Sequence, residues 1–534
     1  MNSKEENNKL TYTLLLLVIL IVTILRLRFI GFPLERDEGG FAYMGKLILQ
    51  GIPPYISGYD FKPPGLYLTY ALFLKLFGQT ADAIHMGLLL FNAGSMALIF
   101  EFTKRLLGRN EGIIASFIYG MLALAPGVLG FAAHATHFVV FWMLLGLVLI
   151  MQFHKTRNKY LLIASGIAFS LSVLMKQPGL LFLVFGVVLL FYPTNDNKID
   201  LPNSIKKIIY FVVGTILPFA FILLWYWNAN TVDKFIFWNF EYGIKFSNLI
   251  KGGDSITQFF MSFPRVANDF LPVWIIAAIG IPMILFDRKR ESSRVLIIFF
   301  FITSAVAVSL GFHFRNHYFV MILPIIGILT GYVINKFTIA LASNKTEMFR
   351  LILSLSLSLL IVGYGIIINQ SYFINDNLNT LSRRLYNPNP FADSETIAKY
   401  IQSKTGKDDK IAILGSEPQI LFYADRISAT PYLFTYFIME PHPYSLTMQK
   451  EMAGNIEMEK PKLLIYINHP ISWMVWQNSQ MYIFTWADRF IKEYYSLAGL
   501  VDVVSAEKSI IKWGEEATSY SNIDRATVLI FERK

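Results

Sequence analysis

Leu14-Leu-Leu-Leu-Val-Ile-Leu-Ile-Val-Thr-Ile-Leu25 is an uncharged apolar run that ends on Arg26 and Arg28. Within residues 11–30 it is long enough for a hydrocarbon core of about 30 Å at 1.5 Å per helical residue. It has no small-residue cleavage site, so it reads as a retained helix rather than a signal peptide. Similar runs recur at Tyr160 to Met175, Ile208 to Asn228, Val295 to Gly311 and Leu351 to Asn369. The chain has 534 residues, 54% of them hydrophobic, and a mean hydropathy of +0.47. That is too apolar for a soluble protein, and the apolar residues are bunched rather than interleaved. The expected fold is mainly α: a polytopic transmembrane bundle of about eleven spans. These fall near 11–30, 83–103, 112–128, 136–153, 160–175, 178–192, 207–227, 270–286, 295–311, 317–336 and 350–369. There are no cysteines, which removes disulfides, thiolate metal sites and iron–sulfur clusters.

Charge orients the bundle. Lys104, Arg105 and Arg109 share a parity of loops with Lys155, Arg157 and Lys159, and with Lys198, Lys206 and Lys207. Arg288, Lys289, Arg290 and Arg294 follow the same parity, as do Lys336, Lys345 and Arg350. The positive-inside rule makes these loops and the N-terminus cytoplasmic. The loop after the first helix, about 31–82, and everything after the last span then face outward. The expected location is a plasma membrane of bacterial inner-membrane type. The net charge of +10 is no nucleic-acid signal, because residues 371–534 hold 17 basic and 19 acidic side chains. Basicity therefore belongs to the membrane part, residues 1–370, where it orients helices and attracts anionic lipids.

After residue 370 the texture changes. Asn377, Asn379, Asn387, Pro388, Asn389 and Pro390 suggest a linker over 371–390, and 391–534 reads as a small extracytoplasmic α/β domain. Phe391 to Lys404 has helical periodicity. Lys410-Ile-Ala-Ile-Leu-Gly415, Lys462-Leu-Leu-Ile-Tyr-Ile467 and Ala526-Thr-Val-Leu-Ile-Phe531 read as strands.

The chemistry concentrates in the first outer loop: Glu35-Arg-Asp-Glu-Gly-Gly-Phe-Ala-Tyr43, then Tyr59-Asp-Phe-Lys-Pro-Pro-Gly-Leu-Tyr67. Asp37 or Glu38, just outside a membrane helix, suits a general base that takes a proton from an attacking hydroxyl. Lys62, Arg26 and Arg28 suit a phosphate, whose developing charge fixed cations stabilise at a low-dielectric boundary. Each has a plainer reading. The acidic pair could be an exposed ion pair with Arg36 or Lys46, the arginines could be snorkelling anchors, and Pro63-Pro64 could be a rigid turn.

The stretch 36–77 resembles the first periplasmic loop of the GT-C glycosyltransferases, in the branch of the protein O-mannosyltransferases, the lipid A aminoarabinose transferase and the Rgt-type galacturonosyltransferases. That branch carries an Asp-Glu pair after the first helix and an aromatic-Lys-Pro-Pro segment, here Asp37-Glu38 and Phe61-Lys62-Pro63-Pro64. Lys176-Gln177-Pro178-Gly179 is similar to the family's Lys-Gln element, and His317-Tyr318-Phe319 with Pro324 to its late His-Tyr-Phe…Pro helix. Gly415-Ser-Glu-Pro-Gln419 with Ala424-Asp-Arg426 resembles the soluble domain of bacterial members. The resemblance implies a polyprenyl-phosphate-linked sugar donor, an outer-face acceptor (lipid, glycan or protein), and inversion at the anomeric carbon. Asp37, with Glu38 beside it in the catalytic pair, would be the base or its orienter. Lys62 would contact the donor phosphate, joined by Arg26, Arg28, Arg315 and His317, while Tyr43, Tyr59, His134, His137 and Lys176 would line the cavity.

One departure stands out. Many relatives carry an acid near the outer start of the fourth helix, where this chain has His134-Ala-Thr-His137, which puts a second carboxylate in doubt. Two histidines without a carboxylate make a poor metal site, and Arg315 between His313 and His317 points to an anion. No DxD-type motif stands in an outer loop, so no cofactor is expected and no metal ligands are assigned, though nothing forbids a divalent ion. Phe235, Phe237, Trp238, Phe240, Tyr242 and Phe246 read first as an interfacial aromatic belt. Glu417, Asp425 and Arg426 read as domain-interface residues. Three rivals remain: a protein O-mannosyltransferase proper, a transporter, which would show matching halves and charges at mid-span, and a non-catalytic scaffold, which leaves the Asp-Glu/Lys-Pro-Pro loop unexplained.

Overall fold

The computed structural model describes residues 3–191, 201–247, 249 and 252–534. Lys198 and the last residue of the 178–192 stretch lie outside the described residues. Each of the eleven apolar stretches falls on a helix: α1 (Ser3–Leu27), α4 (Ala81–Leu106), α5 (Arg109–Leu122), α6 (Ala135–Thr156), α7 (Tyr160–Met175), α8 (Gly179–Leu190), α9 (Leu201–Asn228), α13 (Leu271–Leu285), α14 (Glu291–Ser309), α15 (Leu323–Leu341) and α16 (Glu347–Ile368). Between them come α2 (Arg36–Leu49), α3 (Pro64–Phe77), the short α10 (Val232–Ile236) and α11 (Gly243–Ser247), and the amphipathic α12 (Gly252–Asn268).

Among the described residues seven helices are long and apolar enough to cross a bilayer alone, and α12 with α13 makes an eighth, bent by 109°. The helix α5 has only 14 residues, about 21 Å at 1.5 Å per residue, and it is buried between α4 and α15. The bundle turns its apolar side chains outward, with Leu16 and Phe221 each 65% and Leu360 71% exposed. Such surfaces are tolerable only against lipid. This is an integral membrane protein.

The basic loops gather at one end. Arg105 donates to Gln152 Oε1 at 3.0 Å, Arg290 to the Leu107 carbonyl at 2.6 Å, and Arg109 pairs with Glu347 at 2.8 Å. The first long loop and the C-terminal domain meet at the other end.

The stretch 371–390 is not an irregular linker. Within it, α17 (Leu378–Tyr386) starts on Asn377, whose Oδ1 accepts from Thr380 N–H at 2.9 Å. Leu378, Leu381 and Leu385 at helical spacing hold it down. Then come α18 (Ser394–Lys404), α19 (Gln419–Ala424) and α20 (Tyr436–Met439). The strands are β1 (Ala412–Leu414), β2 (Leu463–Ile467), β3 (Tyr495–Val503), β4 (Ser509–Trp513) and β5 (Val528–Arg533), in the order β1-β2-β5-β3-β4. β1 and β2 are parallel and the remaining pairs antiparallel. The three strands legible in the sequence are short apolar runs. The other two lack that signal: β3 follows a helix with no turn residue between, and β4 is a half-exposed edge.

Candidate active site

The site begins with the way α2 is clamped. Glu35 caps its N-terminus, accepting from Glu38 N–H at 2.8 Å. Gly39 and Gly40 give the helix a bare face: a Cβ on Gly39 would collide with the Gln419 backbone, and one on Gly40 with the Phe434 ring. The C-terminal domain therefore packs directly on α2. Arg36 holds it there, pairing with Glu417 at 2.8 Å and donating to Asn389 Oδ1 at 2.9 Å and the Ser416 carbonyl. Lys46 pairs with Asp425, and Tyr59 N–H donates to the Pro431 carbonyl at 2.7 Å. Arg36 and Lys46 thus reach across the domain interface instead of pairing with Asp37 and Glu38. Glu417 and Asp425 close that interface, while Arg426 stays within its own domain, on Thr405.

Under this clamp lies a cavity of about 560 Å³. The first loop contributes Glu35, Arg36, Asp37, Phe61 and Lys62, and the start of α6 contributes His134. Lys176 enters from the end of α7, Gln258, Ser262 and Arg265 from one face of α12, and Arg315, His317 and Tyr318 from the turn before α15. Asn389, Tyr436, Glu440 and Trp476 come from the C-terminal part. Six predicted residues are brought together: Asp37, Lys62, His134, Lys176, Arg315 and His317. Gln177 supports them, donating to the Phe61 carbonyl at 2.8 Å.

The field inside is cationic. Burial opposes ionisation of Asp37, yet Lys62 first, with Arg315 and Arg36, holds its carboxyl below the usual carboxylate range. Burial opposes the Lys62 charge as well, but Asp60 at 3.4 Å and Asp37 raise that ammonium above its ordinary value. Burial pushes Lys176 well below the ordinary lysine range, helped by Lys62 and Arg315. Lys176 lies over the Tyr318 ring at 3.3 Å. Burial raises Glu35 well above the carboxylate range, and repulsion from Asp37 and Glu38 adds to it. Burial also drives His134 down to about 4, so its ring is neutral at neutral pH.

Other predicted residues go elsewhere. Glu38 is fully buried, away from the cavity: Oε1 accepts from Ala133 N–H at 2.6 Å and meets His85 Nε2 at 3.1 Å. Arg26 donates to the Gly130 carbonyl at 2.7 Å and the Ala123 carbonyl at 2.9 Å, tying down the turn after α5. Arg28 binds the Tyr372 and Asp376 carbonyls. Both arginines are chain fasteners, each bridging two carbonyls at helix ends and turns. Tyr43 accepts from Ser428 N–H at 2.9 Å, Tyr59 packs on Trp238 at 4.9 Å, and His137 turns into the bundle. None of the three lines the cavity. The aromatic stretch is not an interfacial belt either. Phe235, Trp238, Tyr242 and Phe246 are buried at helical spacing, with Phe246 on Phe61 at 4.4 Å and Tyr242 on Phe437 at 5.3 Å. Only the far side, with Phe240 at 54% exposure, faces out.

Gln258, Ser262 and Arg265 form a polar stripe at i, i+4 and i+7 that was readable in the sequence. Glu440 and Trp476 carry no local signal.

Asp37, His134 and His317 place one ligand atom each within 4.8 Å of one another. The two imidazoles stack at 4.0 Å, and His134 Nε2 has no hydrogen-bond partner among the described residues. One carboxylate and two imidazoles are a donor set for a zinc-type ion. The fold thus sets His134 against His317 and the acid rather than against His137, its neighbour in sequence. Lys62 and Arg315, whose charges bear on Asp37, oppose a dication and favour an anion instead.

The fold, the cavity and its charges can be set beside known proteins. Residues 61–227 match a family described as dolichyl-phosphate-mannose-protein mannosyltransferase. Over 97% of both chains, the structure superposes on ArnT from Cupriavidus metallidurans bound to undecaprenyl phosphate, with a TM-score of 0.58 at 13% identity. The chain has a GT-C glycosyltransferase fold. A second GT-C structure, the archaeal oligosaccharyltransferase AglB from Archaeoglobus fulgidus with an inhibitory peptide and a dolichol-phosphate, matches with a TM-score of 0.52 at 11% identity. That match covers 94% of this chain and 74% of AglB. No curated protein matches the sequence.

Proposed function

We propose that this GT-C protein is an inverting glycosyltransferase. It would move a monosaccharide from a polyprenyl-phosphate donor to an acceptor hydroxyl at the outer face of the membrane. The observation that carries this reading is Asp37, an ionised carboxylate in a buried cavity whose other charges are chiefly those of Lys62, Arg265 and Arg315. The ArnT and AglB structures hold undecaprenyl phosphate and dolichol-phosphate, and a donor phosphate suits this cationic wall. The acceptor hydroxyl attacks the anomeric carbon as Asp37 takes its proton, and the anomeric C–O bond breaks with its electrons passing to the phosphate oxygen. The charge that grows on the leaving polyprenyl phosphate is met by Lys62 and Arg315, fixed before the reaction begins. A bound phosphate would also restore the charge that burial takes from Lys176, and would relieve Asp37 of its cations, making it a stronger base. The C-terminal domain, fastened to α2, forms one wall of the cavity. By the charge rule the basic end is cytoplasmic and this domain extracytoplasmic.

The test is transfer by the full chain in lipid nanodiscs, using labelled polyprenyl-phosphate monosaccharides and host lipid extract. Transfer from one donor that vanishes in Asp37→Asn, with particles still monodisperse, supports the reading. No turnover and no donor binding across the panel would reject it.

A further inference from the structure

The two walls of the cavity differ in origin and in charge. Every cation lining it, Lys62 and Arg315 among them, comes from the first 370 residues. The wall built from Leu385 onward carries no lysine, arginine or histidine among the described residues, and one acid, Glu440. Glu440 follows α20 and is 4% exposed. Tyr242 O–H donates to its Oε2, and among the described residues Oε1 has no hydrogen-bond partner. Burial pushes this carboxyl up to about 8, so at neutral pH it is uncharged and offers both a donor and an acceptor. On the same wall Trp476 keeps 37% of its surface open, flanked by Ile471 and Met474.

We propose that this wall is an acceptor subsite for a neutral carbohydrate, with a pyranose ring lying against Trp476 and one of its hydroxyls bonded to Glu440. The proposal rests on the glycosyltransferase reading and narrows its acceptor. A sugar ring has an apolar face for an indole and a rim of hydroxyls for a carboxyl, the two kinds of group this wall supplies. The wall itself supplies no cation for an anionic acceptor: Arg36, which reaches its Ile471 carbonyl, is already paired with Glu417, and Arg315 faces Glu440 from the membrane half. An extended peptide would find no strand edge to pair with, because no residue of β1 to β5 lines the cavity. Tyr242 orients the carboxyl from the membrane half, so the subsite exists only when the C-terminal domain is docked.

The experiment uses the full chain in nanodiscs and reads saturation-transfer NMR with methyl glycosides of the common hexoses and N-acetylhexosamines. A serine-containing peptide serves as a separate probe, and undecaprenyl phosphate binding is measured alongside. Support would be saturation of one or more glycosides, weakened about 10-fold in Trp476→Ala and in Glu440→Ala, retained in Glu440→Gln, with undecaprenyl phosphate affinity unchanged. The 10-fold figure is the loss of one neutral hydrogen bond or one stacking contact. Trp476→Ala is partly exposed and tolerable for folding, so the test survives if Glu440→Ala does not fold. Undecaprenyl phosphate binding without any glycoside, equal glycoside binding in all variants, or saturation of the peptide alone would overturn the proposal while leaving the donor reading intact. If undecaprenyl phosphate does not bind either, the glycosyltransferase reading itself fails.

Discussion

Two adjacent acids should give opposite results when each is made a neutral isostere. Asp37 lines the cavity, and among the described residues its carboxylate accepts no hydrogen bond, so Asp37→Asn removes a charge and a base while disturbing no bond. The loss of a general base lowers kcat by about 10²–10⁴, equivalent to about 3–5 kcal/mol in the barrier. Affinity for a donor phosphate should stay level or rise, because Lys62 and Arg315 lose a competing anion. Glu38 is fully buried, with Oε1 engaged by Ala133 N–H and by His85, whose other nitrogen meets the Ile30 carbonyl at 2.7 Å. Glu38→Gln keeps an acceptor for Ala133 N–H but removes the buried charge that faces His85, a cost of about 2–4 kcal/mol. The folded fraction should still turn over within a few-fold of wild type. Thermal unfolding in nanodiscs and single-turnover transfer separate the two effects. A dead but fully stable Glu38→Gln, or an Asp37→Asn protein that keeps a tenth of its rate, would refute the assignment of base and strut.

Three further outcomes follow from the same geometry. Lys62→Met should cost about 3–5 kcal/mol because Asp60 is left buried without its partner; adding Asp60→Asn should restore the unfolding transition without restoring transfer, and recovery of both would place Lys62 outside the site. Gly39→Val should collide with the Gln419 backbone and pry the C-terminal domain off α2. A cost of about 1–3 kcal/mol and faster proteolysis after Asn377 are expected, and unchanged protection would contradict the packing. Glu440 binds its proton more tightly when folded, with a pKa of about 8 against an ordinary 4.5. Its contribution is therefore fully present below about pH 4.5 and is lost as pH rises toward 8, at about 1.4 kcal/mol per unit. Wild type should lose stability between about pH 5 and 8 relative to Glu440→Gln, and parallel curves would show that the carboxyl is not held neutral.

The membrane helices were legible in the sequence because the constraint on them is local. A segment in lipid must satisfy its own backbone and present apolar side chains, so Leu14 to Leu25 or Leu351 to Asn369 declares itself without reference to any partner. The first-loop motif was legible for a similar reason: Asp37, Lys62 and the two prolines lie close in sequence. Tertiary structure decided which charges become chemistry. Arg26 and Arg28 looked like ligands until the fold placed carbonyls within their reach. Glu38 looked equivalent to its neighbour, but one residue along a helix is a turn of about 100°, enough to send one acid to His85 and leave the other in the cavity. His134 met His317 rather than the nearer His137, and Glu440 arrived from a separate domain. Burial and the field of distant charges fix the protonation and partners of such groups, and both are sums over neighbours that only the folded chain assembles.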